Sequence, residues 1–198
     1  MIFQRSANAY YELGDTIETV RLTIRFPRTQ DYGQWTALRN QSRAFLVPWE
    51  ASWPPNDLSR SAFANRLKHY RGNVRKDNAY PLLIFKADNS GELVGGVTVS
   101  NVRRGIAQTA QLGYWIGQPH ANQGYMSEAV RAVAHFCFDQ LGLHRLEAAC
   151  LIKNAPSARV LEKCGFSREG IARKYLKING QWQDHLLFAL LRDDYQST

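Results

Sequence analysis

The chain has 198 residues, 44% of them hydrophobic and 21% charged, which fits a single globular domain with a core of its own. No apolar run approaches the ~20 residues of a membrane helix. Met1 to Asp15 is polar and mixed, unlike a secretory signal, so a cytoplasmic protein is expected. The net charge of +8 is spread over both halves and suits an anionic partner: a phosphate-rich cofactor, nucleic acid or a ribonucleoprotein.

In chain order, Glu18 to Phe26 (ETVRLTIRF) alternates Val20, Leu22, Ile24 and Phe26 and reads as a first strand. Residues 29–46 carry a helical pattern through Trp35, Leu38, Ala44 and Phe45. The segment Val47 to Pro55 (VPWEASWPP) follows, and its prolines exclude regular helix. Asn56-Asp57 open a second amphipathic helix with Phe63, Leu67 and Tyr70 on its apolar side. Three strand-like runs come next, Tyr80–Lys86, Glu92–Val102 and Gln108–Ile116, the first two turning at Asp88-Asn89-Ser90-Gly91. Ser127 to Leu141 places Val130, Val133, Ala134, Cys137 and Leu141 on one helical face, with Gly142 as the stop. Arg145–Ile152 is a strand, and Ala155–Cys164 a short helix stopped by Gly165. Two strands, Tyr175–Ile178 and Trp182–Leu190, meet at Asn179-Gly180, a strong hairpin signal. The order β-α-α-β-β-β-α-β-α-β-β is that of an α/β protein, a mixed sheet flanked by helices. Ligands of such sheets bind beyond the carboxyl ends of the strands.

Several chemistries are absent from the sequence. Cys137, Cys150 and Cys164 stand 13 and 14 residues apart, which matches no zinc spacing, and an odd count argues against a disulfide framework. Reduced thiols and no metal are expected. There is no HExxH, no GxSxG elbow and no GKS or GKT phosphate loop.

Two constellations carry chemistry. The first runs from Tyr114-Trp115-Ile116-Gly117 through Gln118 to Met126 (QPHANQGYM) into Ser127-Glu128-Ala129. A loop feeding a helix presents free N–H groups to an anion, and Gly124 lets a phosphate approach the backbone. The same residues also suit an ordinary turn capped at Ser127 with Glu128 in the first helical turn. The second constellation is Asn154-Ala155-Pro156-Ser157 and then Glu162-Lys163-Cys164-Gly165-Phe166. Asn154 caps a helix with Pro156 in its first turn, which leaves the Ser157 hydroxyl without a structural task.

This pair of motifs, in this order, resembles the GNAT superfamily of acetyltransferases, and within it the branch that acetylates the N-termini of ribosomal proteins. The shared residues are Trp115-Ile116-Gly117, Gly124-Tyr125, Ser127-Glu128-Ala129, His144-Arg145-Leu146-Glu147, Asn154 to Ser157 and Glu162 to Phe166. Glu169-Gly170 and Gly180 to Asp184 extend the match, as do Glu18 to Leu22 and Pro48-Trp49-Glu50. Tyr175-Leu176 and the run Asn179 to His185 are most similar to the RimJ-type ribosomal-protein alanine N-acetyltransferases. The likeness covers residues 18–192 as one domain, between an extension at 1–17 and a tail at 193–198. Two positions depart from the pattern. Ala121 and Met126 stand where the superfamily's phosphate loop has Gln or Arg and a small residue. Leu176 stands where some relatives carry a general-base Glu.

The resemblance implies the GNAT fold and direct transfer from acetyl-CoA to an amine, with no metal. It implies a cofactor site of Trp115, Ile116, Gly117, Asn122, Gln123, Gly124, Tyr125, Met126, Ser127, Asn154 and Ser157. The pyrophosphate would sit on the 122–127 loop, a backbone N–H near Ile116 would polarise the thioester, and Ser157 would protonate the leaving thiolate. Glu50 is the first candidate to draw the amine or relay its proton, with Asp184 and His185 behind it. The expected acceptor is a protein N-terminus, an alanine of a ribosomal protein, in a partner associated with the ribosome. The alternatives are a polyamine or aminoglycoside acetyltransferase and a non-catalytic RNA-binding module.

Overall fold

The structure, a computed structural model, describes residues 15–196. The greater part of the expected N-terminal extension, residues 1–14, and the last two residues of the tail lie outside the described residues. Among the described residues no helix is long and apolar enough to cross a membrane.

Strand β1 (Thr16–Glu18) and β2 (Leu22–Arg25) form a small hairpin, Ile17 facing Ile24. One continuous strand over 18–26 is therefore corrected to two. The turn between them is closed by the Thr19 N–H on the Leu22 carbonyl and by the Leu22 N–H on Thr19 Oγ1, each at 2.9 Å. Val20, which continues the alternation in the sequence, stands on the turn and is 96% exposed. Helix α1 (Tyr32–Gln41) and the single turn α2 (Arg43–Leu46) replace the continuous helix expected over 29–46, the break falling at Ser42. Helix α3 (Arg60–Arg75) starts later than Asn56, because Ser59 is the residue whose side chain accepts the Ala62 N–H, at 3.1 Å.

Strands β3 (Tyr80–Lys86), β4 (Leu93–Arg103) and β5 (Thr109–Ile116) form an antiparallel meander. Helix α4 (Tyr125–His135), ending in the π-turn Phe136–Gln140, crosses over to β6 (Arg145–Leu151). After α5 (Ala155–Lys163) the hairpin of β7 (Ser167–Ile178) and β8 (Gln181–Leu191) leads to α6 (Arg192–Gln196). The strand β7 begins eight residues before the expected Tyr175. It is the edge strand and mostly exposed, so the run SREGIARK carries no inward alternation to betray it.

The described residues form one eight-stranded sheet in the order β1-β2-β3-β4-β5-β6-β8-β7, antiparallel throughout except where β6 lies parallel to β5. The order of the expected elements holds, and so does the mixed α/β class. One face of the sheet packs on α4 and α5 through Ala110, Leu112, Val130, Val133, Leu146, Leu161 and Phe188. A smaller cluster on the other face joins Trp35, Leu38, Phe63 and Leu67 to Leu83 and Phe85. Each of the larger side chains contributes roughly 1.5–3 kcal/mol on burial, so the two clusters fix where the strand ends lie.

Candidate active site at the divergence of two parallel strands

The β5–β6 ladder runs from Thr109↔Arg145 only as far as Leu112↔Ala148. Beyond it β5 pairs with β4 alone, to Gly95↔Ile116, and β6 with β8 alone, to Leu151↔His185. The edges Gly113–Ile116 and Ala149–Leu151 therefore diverge and leave a wedge in the sheet. The Gly117 N–H donates to the Val94 carbonyl at 2.8 Å. Antiparallel alternation then turns the backbone groups of Trp115 and Gly113 toward β4, and those of Tyr114 and Ile116 into the wedge. An extended acyl carrier can pair there as an added strand.

One side-chain contact spans the wedge. Tyr114 Oη donates to the Ser157 carbonyl at 3.1 Å and lies 2.9 Å from Ser157 Oγ. Between the two hydroxyls either oxygen can be the donor. Burial pushes the Tyr114 phenol well above its ordinary range, so it stays protonated at neutral pH. Ser157 owes its place to α5: Asn154 caps that helix by accepting the Ser157 N–H at 3.2 Å, as the sequence indicates. Cys150 faces the same core, and burial pushes its thiol up; burial also pushes the Cys164 thiol up, to about 11. All three cysteines are free and buried.

The loop after β5 is held at several points. Any Cβ at Gly117 would lie 2.4 Å from Leu38 Cδ1, so only glycine lets α1 pack there. The Gln118 N–H donates to the buried Ser42 hydroxyl at 2.9 Å. Asn122 (φ 61°) and Gly124 (φ 81°) are both left-handed, and Gly124 is the residue that starts α4. Ser127 is thus not the cap; the helix begins two residues earlier. Its first bond runs from the Glu128 N–H to the Gly124 carbonyl at 3.1 Å, which leaves the Tyr125, Met126 and Ser127 N–H groups without helical acceptors. These groups, with the dipole of α4 behind them, make an anion cradle. Gln123 points its amide nitrogen back to the Pro119 carbonyl at 2.8 Å, and Met126 buries its side chain in the core. At both positions it is the backbone that faces the cradle.

Sequence reasoning passed over Arg21, which organises this loop from the β1–β2 turn. Its Nε donates to Glu128 Oε2 at 2.7 Å, its Nη1 to the Gln123 carbonyl at 3.0 Å, and its guanidinium lies 4.7 Å over the Tyr125 ring. Thr19 Oγ1 adds a 2.6 Å bond to Glu128 Oε1. Burial pushes the Glu128 carboxyl up, but these bonds outweigh it and hold it below the usual range. The signal was the Glu-Thr-x-Arg-Leu run, whose spacing places Thr19 and Arg21 on one tight turn.

On the opposite face of the wedge, Glu50 is fully engaged. Arg39 clamps it at 2.8 and 2.7 Å, and the Trp53 indole donates to it at 2.7 Å. Buried Arg39 lies 4.1 Å over Trp53 and 4.9 Å over Trp115, tying the 47–53 segment to the end of β5. The tip of the β7–β8 hairpin closes this side, the Asn179 N–H donating to the Glu50 carbonyl at 2.9 Å. Asp184 accepts the Lys174 N–H at 2.8 Å within that hairpin, Leu176 is exposed, and His185 is buried on β8. Among the described residues no group of three or more His, Cys, Asp or Glu side chains is placed to hold a metal.

Residues 21–167 match the acetyltransferase (GNAT) domain family, a span that takes in the wedge, the cradle and Ser157. The chain is a GNAT acetyltransferase. A probable N-acetyltransferase of Bacillus subtilis, YjcK, is 45% identical over 79% of this chain and 86% of its own length. The [ribosomal protein uS5]-alanine N-acetyltransferase of Escherichia coli is 32% identical over 90% of this chain and 92% of its own. Among solved structures, Mycobacterium smegmatis RimJ in complex with CoA-disulfide superposes with a TM-score of 0.85 at 29% identity, over 91% of this chain and 88% of that one. The acetyltransferase described here is thus an N-acetyltransferase with acetyl-CoA as its acyl donor, similar to the RimJ-type enzymes.

Proposed function

We propose that this enzyme transfers the acetyl group to the α-amine of a protein N-terminus, an alanine of a ribosomal protein being the leading acceptor. The observation that carries this is the state of the carboxylates beside the wedge. Glu50 is paired with Arg39 and Trp53, exposed Asp184 holds the Lys174 N–H through one oxygen, and Leu176 offers no charge. An acceptor served by so little negative charge must arrive partly neutral. An α-amine, with pKa near 7.7–8.0, is about a tenth neutral at pH 7, whereas a lysine amine is neutral in well under ~0.1% of molecules. Polyamine and aminoglycoside acceptors are polycations and would call for several free carboxylates. The Escherichia coli relative, named for alanine acetylation of uS5, supports the same acceptor class.

In this reading the pyrophosphate of the donor rests on the N–H groups of residues 122–127, and its pantetheine pairs with Tyr114 and Ile116 in the wedge beside Asn154. The Ile116 N–H polarises the thioester carbonyl, where a preorganised donor is worth most. The amine nitrogen attacks that carbon, the C–S bond breaks, and the Ser157 hydroxyl gives its proton to the departing thiolate. Glu50 shapes the acceptor wall as part of the Arg39–Trp53–Trp115 stack; its proton-accepting role passes to another group. The +8 charge favours approach to an RNA-bearing particle at low salt.

The test is acetylation of peptides that begin with Ala or Ser and also contain lysine, read by mass spectrometry of fragments. Acetyl groups are expected at the terminus, with rates rising between about pH 6.5 and 8.5. Acetylation mainly on lysine side chains, or of spermidine in preference to any peptide, refutes the reading.

A further inference from the structure

We infer that His185 is the group that accepts the proton of the attacking amine, a step that rests on the acetyl transfer proposed above. Alternation along the strands divides the site into two faces. Tyr114 and Ile116 of β5, Cys150 of β6 and Leu186 of β8 face α4 and α5, and Ser157 meets the wedge from that side. Trp115, Leu151 and His185 therefore face the other way, toward the Arg39–Glu50–Trp53 wall. His185 is paired in register with Leu151, the last residue of the wedge edge on β6. Its backbone thus lies one strand spacing, ~4.8 Å, from that edge. The thiolate leaves toward Ser157 on one face, so the amine enters on the other, where His185 stands.

The chemistry of the ring is set by its neighbours. His185 Nδ1 lies 2.9 Å from the Gln183 carbonyl, which can only accept, so Nδ1 carries the proton and neutral Nε2 is left as a lone-pair acceptor. Nε2 has no hydrogen-bond partner among the described residues, although the side chain is only 2% exposed. Tyr175 stands edge-on to the imidazole at 5.8 Å between centroids, and its Oη lies 3.4 Å from Gln111 Nε2 across the same face. The ring is thereby held with one nitrogen uncommitted. Other titratable or charged groups on the strands around it are Arg168, Glu169, Arg173, Lys174, Tyr175 and Lys177 on β7, Asp184 on β8, and Arg145, Glu147 and Cys150 on β6. Asp184 is bound by the Lys174 N–H, and Glu147 is paired with Arg145 and Arg103. As the N–C bond forms, the amine's excess proton moves to Nε2; the C–S electron pair leaves with sulfur and is protonated by Ser157. Solvent then resets both groups.

The test uses the full chain with an Ala-initiated peptide. His185→Gln should lower kcat ~10²-fold or more, leaving acetyl-CoA affinity unchanged, and added imidazole should restore much of the rate to His185→Ala. A structural role would not be rescued by a free base. For a readout on the unaltered protein, kcat is followed against pH with two peptides whose terminal amines differ in pKa. An acid-side break that stays in place with both peptides supports His185. The inference is overturned by a folded His185→Gln variant that keeps full turnover, by rescue failing in a folded His185→Ala, or by a profile whose only break follows the peptide. Absence of turnover with any amine in the wild type removes the acetyl-transfer reading itself, and this one with it.

Discussion

Ser157 illustrates how one side chain can be assigned from what it lacks. Its N–H is used by the Asn154 cap, whereas its hydroxyl meets the Tyr114 hydroxyl and the Cys150 thiol. Substituting Ser157→Ala should lower kcat by ~10²–10⁴ with little change in acetyl-CoA binding, because the lost interaction belongs to the transition state. Tyr114→Phe removes the partner while keeping the serine, so its effect should be smaller. Steady-state kinetics alongside calorimetric titration of the donor checks both; an unchanged kcat in folded Ser157→Ala would strike serine from the mechanism. Asn154 was legible in the sequence because it follows from local rules of helix starts, whereas those rules pointed to Ser127 for α4 and the cap is Gly124. Arg39 and Arg21 were not legible. Their partners lie 11 and 107 residues away; the Glu-Thr-x-Arg-Leu run marks the turn that carries Arg21 but not Glu128 as what it meets, and no comparable run marks Arg39.

At the level of elements, the β1–β2 hairpin is a brace for the phosphate cradle. The Arg21 guanidinium, 45% exposed, pairs with Glu128 in the first turn of α4 and also holds the Gln123 carbonyl. Solvent screening keeps the pair's contribution to folding below ~1 kcal/mol, so its main effect falls on the loop it holds. Arg21→Ala should raise the Kd for acetyl-CoA several-fold while shifting Tm by only a few degrees. Arg21→Lys should rescue little, since an ammonium cannot span Glu128 and the Gln123 carbonyl together. The pH sign follows from the depressed Glu128 carboxyl. Its contribution to stability is present above the ordinary value of 4.5 and is lost as pH falls through the lower folded-state value. In Arg21→Ala the folded-state value rises, so the contribution is smaller and its loss is complete at a higher pH, a change that acid unfolding followed by circular dichroism can detect. This brace also explains the first strand that sequence periodicity misplaced. Val20 keeps the alternating pattern, yet Thr19 closes a turn around it, and side-chain turn chemistry overrode the period-two signal.

Across the whole molecule, the order of strands and helices was readable because apolar residues repeat at the period of an element, as on α4, or run unbroken where a strand is buried on both faces, as on β3. The edge strand β7 escaped because its residues are largely in water on both sides. The wedge also escaped. No residue type announces where two parallel strands part, and the divergence emerges only from register: four rungs between β5 and β6, then none.

That unfinished ladder makes β5 an alternating reporter. Trp115 keeps its backbone partners on β4 whether or not a donor molecule is present, while the amides of Tyr114 and Ile116 face open solvent until something pairs with them. Amide hydrogen exchange along this one strand should therefore be two-toned: slow at Trp115 throughout, fast at Tyr114 and Ile116 in the free enzyme, and slowed at those two when coenzyme A is added. Equal protection at all three positions before addition would mean that the strands close on each other in solution. The alternation as described would make the exchange pattern a map of the acyl carrier's path, read amide by amide from the backbone.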